Sequence, residues 1–395
     1  MKEKKKSRVS VSGICCHVCG DLAVDIVSGY EVFRGVTSDC KPWHRGGQLC
    51  VCRACGCVQK VTDHIWQSKV ETIYEAYSIY HQSGGAEQAV FDKLSGQPSA
   101  RSECLLQHLR TAVELPKKGR LLDVGCGNGA LLGAFGRLLP LWSLAGTELN
   151  DKYRPLVESI NGVEALYTCP PDHVPGTYNL ITMIHVLEHI LGPREFTAGL
   201  QEKLEDGGFL VAQIPDYLQN PFDLLIVDHS THFTVTTAAE LVNRAGYEVI
   251  SVATDWVPKE LTIVARKAGG PPVDRGNPMT PSPLESARRC LQWLQSVLAT
   301  ARQVSAKGTF GLFGTSIAAT WLFSELESTV SFFVDEDPNR AGKTHMGLPI
   351  FHPRDVPSDS HVFIALPTRS AQNIQTRMED MKCGFDCYLP PPLLT

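Results

Sequence analysis

The sequence predicts an α/β protein with a Rossmann-like, mainly parallel sheet at its centre. A Cys-rich module precedes the sheet and a smaller Rossmann-like α/β domain follows it. Three observations predict this. Strand-like and helix-like segments alternate from Arg120 to about Ala268, the pattern of βαβ units with helices on both faces of one sheet. Eight of the fourteen cysteines (Cys15, Cys16, Cys19, Cys40, Cys50, Cys52, Cys55 and Cys57) fall before residue 60. A Pro- and Gly-rich stretch, KAGGPPVDRGNPMTPSP, then separates a second, shorter run of alternating segments, as linkers do. The expected divisions are a module over 1–65, a domain over 66–268 with a helical lead-in, a linker over 269–283 and a domain over 284–395.

The elements follow in order. VETIYEAYSIY and AEQAVFDKL carry apolar residues at helical spacing and predict two helices before the sheet. Arg120–Val124 is the first buried strand, Ala130–Leu138 a helix and Trp142–Thr147 the second strand. A helix over Lys152–Ile160, a short strand over Val163–Tyr167 and a buried strand over Tyr178–Ile184 come next. Pro193–Leu204 reads as a helix, Gly208–Ile214 as a strand and Ala238–Ala245 as a helix. Strand pieces at Glu248–Ala253 and Leu261–Ala265 close the set. Beyond the linker, Leu284–Val304 is an amphipathic helix leading into FGLFG, a helix, VSFFVDED, HVFIALP and a last helix.

Composition narrows the function. The formal net charge of −5 and the lack of an Arg/Lys stripe argue against a nucleic-acid partner. No apolar run approaches the roughly 18 residues that span a bilayer, so no membrane partner is expected. The start, MKEKKKSRVSVSG, is basic with no apolar segment behind it and reads as a solvated tail rather than a secretory signal. The protein is therefore expected in the cytoplasm, where thiols stay reduced and a cysteine cluster points to metal rather than disulfides.

LLDVGCGNGALL, from Leu121 to Leu132, carries the strongest signal. A strand ends near Asp123, and Gly125, Gly127 and Gly129 let the backbone turn tightly and approach a ligand. The helix that follows aims its first amides at the same place. No lysine follows the glycines, which argues against a phosphate-binding loop. The second strand ends in AGTELN, where Glu148 is placed to accept from ribose hydroxyls. A dinucleotide-type turn shares part of this pattern. The D-x-G-x-G form resembles the first motif of class I S-adenosylmethionine (SAM)-dependent methyltransferases. That resemblance implies SAM as cofactor, bound by Asp123, Gly125, Cys126, Gly127, Glu148, Leu149 and His185.

Three further clusters bear chemistry. NLITMIHVLEHI resembles the methyltransferase strand whose end borders the cofactor's methionine and the acceptor, with His185 at the strand end and Glu188 and His189 beyond it. QIPDYLQNPFDLLIVDHSTHFT holds Asp228, His229 and His232 within five residues. Histidine titrates near neutrality, and a carboxylate steers it. The expected general base is His229 steered by Asp228, with His185 or His232 assisting; capping of the next helix is the structural alternative. At the N-terminus, Cys16-x-x-Cys19 and Cys52-x-x-Cys55 make two metal-knuckle halves separated by 32 residues. Four thiolates suit tetrahedral, structural Zn²⁺ and leave no open position for catalysis. Cys15, Cys50 and Cys57 are alternative ligands, as are His17 and Cys40, and a redox dithiol or simple buried thiols are the competing uses.

The order of parts resembles the NDP-sugar C-methyltransferases of deoxysugar pathways, over almost the whole chain. CRACGCVQK is similar to that family's second C-x-x-C followed by Val-Gln, and Asp228, His229 and Phe233 to its acid-His pair and aromatic stretch. The resemblance implies a small-molecule sugar or sugar-nucleotide acceptor, a histidine base, and a C-terminal domain that helps hold the nucleotide. The chain departs from the pattern at Ile226-Val227 and His232, where the family has Tyr-His and a Tyr. Its C-terminal turn keeps Gly311 and Gly314 without a full G-x-G-x-x-G. Both C- and O-methylation stay open. So do an RNA methyltransferase, which the charge opposes, and a non-catalytic SAM-fold scaffold, which intact Asp123, Gly125, Gly127 and Glu148 oppose.

Overall fold

The computed structural model describes residues 13–78, 85–87, 89–91, 98–268 and 282–393. The basic start of the chain and all of the expected linker but its last two residues lie outside them.

The central sheet has seven strands, in the order Val163–Tyr167, Ser143–Thr147, Arg120–Val124, Tyr178–Ile184, Leu204–Pro215, Glu260–Lys267 and Tyr247–Ala253. The first five are mutually parallel, and Glu260–Lys267 runs antiparallel to both its neighbours. Helices cover both faces, so Arg120–Val124 and Tyr178–Ile184 are almost wholly buried apolar strands. The chain leaves Arg120–Val124 toward one edge and returns to Tyr178–Ile184 on its other side. The carboxyl ends of these two strands therefore open a crevice, the usual ligand position in such sheets.

Two expectations change. AEQAVFDKL is not helical where it is described: Ala89–Phe91 pairs antiparallel with Pro98–Ala100. Short apolar runs do not separate helix from strand by period alone, and Val and Phe favour the strand. The helix expected over Lys152–Ile160 is trimmed to Arg154–Glu158, with Pro155 in its first turn, where a missing amide is harmless.

The N-terminal sheet runs Val24–Ile26, Leu49–Cys52, Val58–Lys60 and Thr231–His232, all antiparallel. Its fourth strand comes from the middle of the chain. One apolar core joins this sheet to the rest: Tyr30, Phe33, Val36 and Leu49 cluster with Phe222, Trp293, Leu294 and Trp321. The helix Pro283–Ser305 supplies much of that core, with Ala287, Cys290, Leu291, Leu294, Val297, Ala301 and Val304 buried along one face. The C-terminal sheet runs Thr344–His345, Leu348–Phe351, Phe332–Val334, Phe310–Phe313, His361–Ile364 and Asp386–Tyr388, parallel except at its Thr344–His345 edge. Among the described residues no helix is long and apolar enough to cross a membrane.

Candidate active site

The glycine turn is built as its sequence requires. Gly125, Gly127 and Gly129 hold φ of 67°, 58° and 83°, the left-handed region that side chains disfavour. Space forbids a side chain as well: a Cβ on Gly125 would lie 2.7 Å from Val186 Cγ2, and one on Gly129 2.5 Å from Ile160 Cδ1. The Gly127 amide donates to Glu148 Oε1 at 2.7 Å, and the Leu149 amide to Glu148 Oε2 at 2.9 Å. Glu148 is thereby held at the rim of the turn. Cys126 is buried, and its sulphur closes on Gly146, where a Cβ would come within 2.5 Å of it. Leu149 projects at the rim, 79% exposed.

Asp123 is buried beneath this turn and accepts a 2.7 Å hydrogen bond from Thr182 Oγ1. Burial pushes its carboxyl up to about 7; the Thr182 bond opposes the rise and Glu148 adds to it. A cation bound above Asp123 favours the carboxylate. SAM affinity is therefore expected to increase several-fold, up to about tenfold, as pH rises through 7, with proton release on binding below it. Calorimetry in buffers of differing ionisation enthalpy checks this, and Asp123→Asn should flatten the profile.

A cavity of about 800 Å³ holds the turn, Glu148, Leu149, His185, His189, His229 and Glu260 together. His185 sits at the strand end with φ 56°, a strained backbone for a non-glycine residue. Its Nδ1 meets Glu188 Oε1 at 3.1 Å and its Nε2 meets Glu260 Oε1 at 3.0 Å. Two carboxylates accept from both nitrogens, so the ring is an imidazolium with no lone pair to offer. Burial works against that charge, but Glu260 and Glu188 outweigh it and lift the group to about 9. His185 lines the cavity as expected, yet it is a clasp for two acids and cannot assist as a base.

The histidine loop also differs from expectation. His229 Nδ1 donates to Asp223 Oδ1 at 2.7 Å, which leaves the Nε2 lone pair of this cavity-lining ring free. The carboxylate that holds the His229 ring is therefore Asp223, not Asp228. Burial opposes protonation of His229, and the Asp223 carboxylate more than compensates, raising its pKa. Asp228 is buried and turned to Ser38, accepting from its amide at 2.9 Å and from its hydroxyl. His232 is corrected too. Its Nδ1 meets the second Asp223 oxygen at 2.6 Å, the residue is fully buried and it does not line the cavity. Burial pushes it down to about 4, leaving it neutral. His232 buttresses Asp223 and cannot reach an acceptor. His189 Nδ1 lies 3.0 Å from the Asp228 carbonyl and 3.1 Å from the Tyr74 hydroxyl.

Sequence reasoning missed Asp223 and Glu260. An acid within the apolar run PFDLLIV and another opening the strand ELTIVA were the available signals. Their partners lie 6 and 75 residues away, beyond local pattern.

The N-terminal sulphurs converge. One ligand atom each from Cys16, Cys19, Cys52 and Cys55 lies within 4.8 Å of all the others, with Cys16–Cys55 at 3.4 Å and Cys19–Cys52 at 3.5 Å. A tetrahedron with bonds of about 2.3 Å has edges near 3.8 Å, so the spacing fits four thiolates around one ion. Each half ends in a glycine with positive φ, Gly20 at 81° and Gly56 at 76°. The Gly20 amide closes its turn on the Cys16 carbonyl at 3.0 Å, and the Gly56 amide on the Cys52 carbonyl at 3.1 Å. Cys15 stands outside the cluster, exposed.

A second cavity of about 910 Å³ adjoins the first and shares Arg101, Lys259, Glu260 and Arg340 with it. The Gly314–Ser316 turn and Asp335 of the C-terminal sheet also line it, and Ser316 reaches the first cavity too. Gly314 has φ 96°. Gly311 serves packing: a Cβ there would meet the Phe332 ring at 2.2 Å. Asp335 accepts from Thr315 Oγ1 at 2.8 Å, and Arg340 Nη1 donates to the same hydroxyl at 3.0 Å.

Strand order, glycine turn and paired acid define the class. Residues 99–252 match the family model of a methyltransferase domain, and this part of the chain is a class I SAM-dependent methyltransferase domain. A curated relative is the mitochondrial ubiquinone biosynthesis O-methyltransferase of Schizosaccharomyces pombe, 31% identical over 99 residues, which are 23% of this chain and 36% of that one. The chain thus spans about a third of the length of that relative. Among solved structures, it is similar to a SAM-dependent methyltransferase from Clostridium acetobutylicum (TM-score 0.36, 10% identity, 52% of this chain and 98% of that). Human N-acetylserotonin methyltransferase in complex with SAM is another (TM-score 0.34, 17% identity, 42% of this chain and 51% of that).

Proposed function

We propose that the protein transfers the methyl group of SAM to a sugar or sugar-nucleotide acceptor, and that His229 activates that acceptor. The observation that carries this is one cavity holding both the SAM turn and a histidine whose lone pair is free because Asp223 holds its other nitrogen. SAM supplies the activated methyl group. The chain positions the acceptor atom about 3–3.5 Å from the methyl carbon, in line with the departing sulphur, and promotes loss of the acceptor's proton at His229. Glu148 is the ribose partner, and Leu149 the apolar cover for the base. His185 keeps Glu188 and Glu260 in place at the acceptor side.

The sugar-nucleotide reading is supported by the adjoining cavity. Arg101, Lys259 and Arg340 line the passage between the two spaces, and cationic side chains there suit a diphosphate. The C-terminal turn at Gly314 is then the cradle for the nucleotide. Cys16, Cys19, Cys52 and Cys55 hold a structural Zn²⁺ in this proposal, supported by the convergence of their sulphurs.

The test is mass spectrometry of NDP-sugars and pathway glycans incubated with the protein and methyl-labelled SAM. One labelled methyl on a sugar carbon or oxygen is expected, and fragmentation identifies the atom. Label on RNA alone, or none on any sugar while SAM binds, overturns the acceptor assignment.

A further inference from the structure

Glu188, His189 and His229 come together from two segments. One ligand atom from each lies within 4.8 Å of the other two, and the two rings meet edge to face with centroids 4.6 Å apart. Glu188 is 1% exposed, and its Oε2 is buried without a hydrogen-bond partner among the described residues. An ionised oxygen so placed is costly unless a proton or cation meets it. His189 and His229 are each engaged through Nδ1, which leaves Nε2 as the nitrogen of each ring with a lone pair to offer.

The surroundings are those of metal ligands. Ligating histidines characteristically give their other nitrogen to a carboxylate or carbonyl, which fixes the ring and raises its basicity. Asp223 does this for His229 and the Asp228 carbonyl does it for His189. Glu188 Oε1 is held by His185, which turns Oε2 free. The two segments are stitched as well: Ser230 donates to the Glu188 carbonyl through its amide at 2.7 Å and its hydroxyl at 3.1 Å. It reaches the Ile190 carbonyl through the same hydroxyl at 2.9 Å. A neighbouring group, Asp223 with His229 and His232, is different. There each ring gives its Nδ1 proton to its own carboxylate oxygen, so the nitrogens that converge on Asp223 offer an ion no electron pair.

We propose that Glu188, His189 and His229 form a divalent-cation site opening onto the acceptor cavity, where the ion binds an oxygen of the acceptor. Two imidazoles and one carboxylate with open positions suit a divalent first-row metal, and the ion raises the acidity of an oxygen bound to it. With the ion bound, His229 acts as its ligand rather than taking the proton itself, and the proton of the acceptor oxygen that the ion acidifies leaves to solvent water. That role rests on the methyltransferase reading, whereas the site does not.

Mn²⁺ is the probe, because it prefers nitrogen and oxygen donors and leaves the thiolate cluster alone. Electron paramagnetic resonance of the full-length protein as purified is followed during Mn²⁺ titration, with SAM affinity measured in the same samples. The wild type is expected to bind one equivalent. Glu188→Gln and His189→Ala are expected to weaken binding at least tenfold while still binding SAM, which shows that the variants fold. Mn²⁺ left free by the wild type, or bound as tightly by both variants, overturns the site. Mn²⁺ binding without SAM binding leaves the site standing and sinks the methyltransferase reading; SAM binding without Mn²⁺ sinks the site alone.

Discussion

His229→Ala is expected to lower methyl-transfer turnover about 10²-fold or more, with SAM affinity unchanged. The ring lines the cavity, and the glycine turn is built from other segments. The companion variants discriminate between two readings of the same loop. Asp223→Asn removes the acceptor that both His229 Nδ1 and His232 Nδ1 use. It should cost turnover at least about tenfold, because an amide cannot accept from both rings and the His229 tautomer is no longer set. Asp228→Asn should cost clearly less, since its carboxylate faces Ser38. Steady-state turnover with calorimetric SAM binding checks all three. A silent Asp223→Asn beside a crippled Asp228→Asn would reverse the pairing.

Loss of the thiolate-bound metal is expected to disable the loop without touching the SAM turn. Only five residues separate Cys52 from Val58, and Val58–Lys60 is the strand on which Thr231–His232 lies. The Lys60 amide donates to the Ser230 carbonyl at 2.9 Å. The His17 amide, beside Cys16, donates to Gln59 Oε1 at 2.9 Å, and His17 Nδ1 lies 2.7 Å from Thr231 Oγ1. Both knuckles thus brace the segment that presents His229. Cys52→Ser is expected to destabilise the protein by more than about 3 kcal/mol, because structural zinc contributes folding energy directly and its loss leaves buried thiolates unpaired. Turnover should fall with it. Amide exchange over 228–234 should accelerate first, since the shared apolar core around Trp293 and Trp321 remains. Unchanged exchange and melting temperature after metal removal would refute a structural ion.

Much of the site was legible because its signals are short-range. Gly125, Gly127 and Gly129 stand where a strand becomes a helix within a few residues, at angles that side chains disfavour. The C-x-x-C pairs are likewise local, and each presents two sulphurs from one turn. The apolar runs at Arg120–Val124 and Tyr178–Ile184 mark buried parallel strands by composition. AEQAVFDKL failed for the converse reason: nine residues carry too few repeats to tell a helix from a strand that finds a partner at Pro98–Ala100.

The histidine loop marks the boundary. That a base and an acid belong in DHSTH follows from residue type. Which acid serves which histidine depends on where a short helical turn over Pro221–Leu225 aims Asp223. The same holds for His185, whose residue type suggests a base and whose neighbours, Glu188 and Glu260, make it a cation. It holds again for the described part of the module expected over 1–65. Its cysteines point to a metal, while the register of Thr231–His232 on Val58–Lys60 joins it to the histidine loop. Backbone angles and ligand spacing are properties of a few consecutive residues, so the chain alone discloses them. Protonation states and hydrogen-bond partners depend on how side chains are aimed at one another, whether 6 positions apart as His229 and Asp223 or 75 as His185 and Glu260, and only the folded chain decides those.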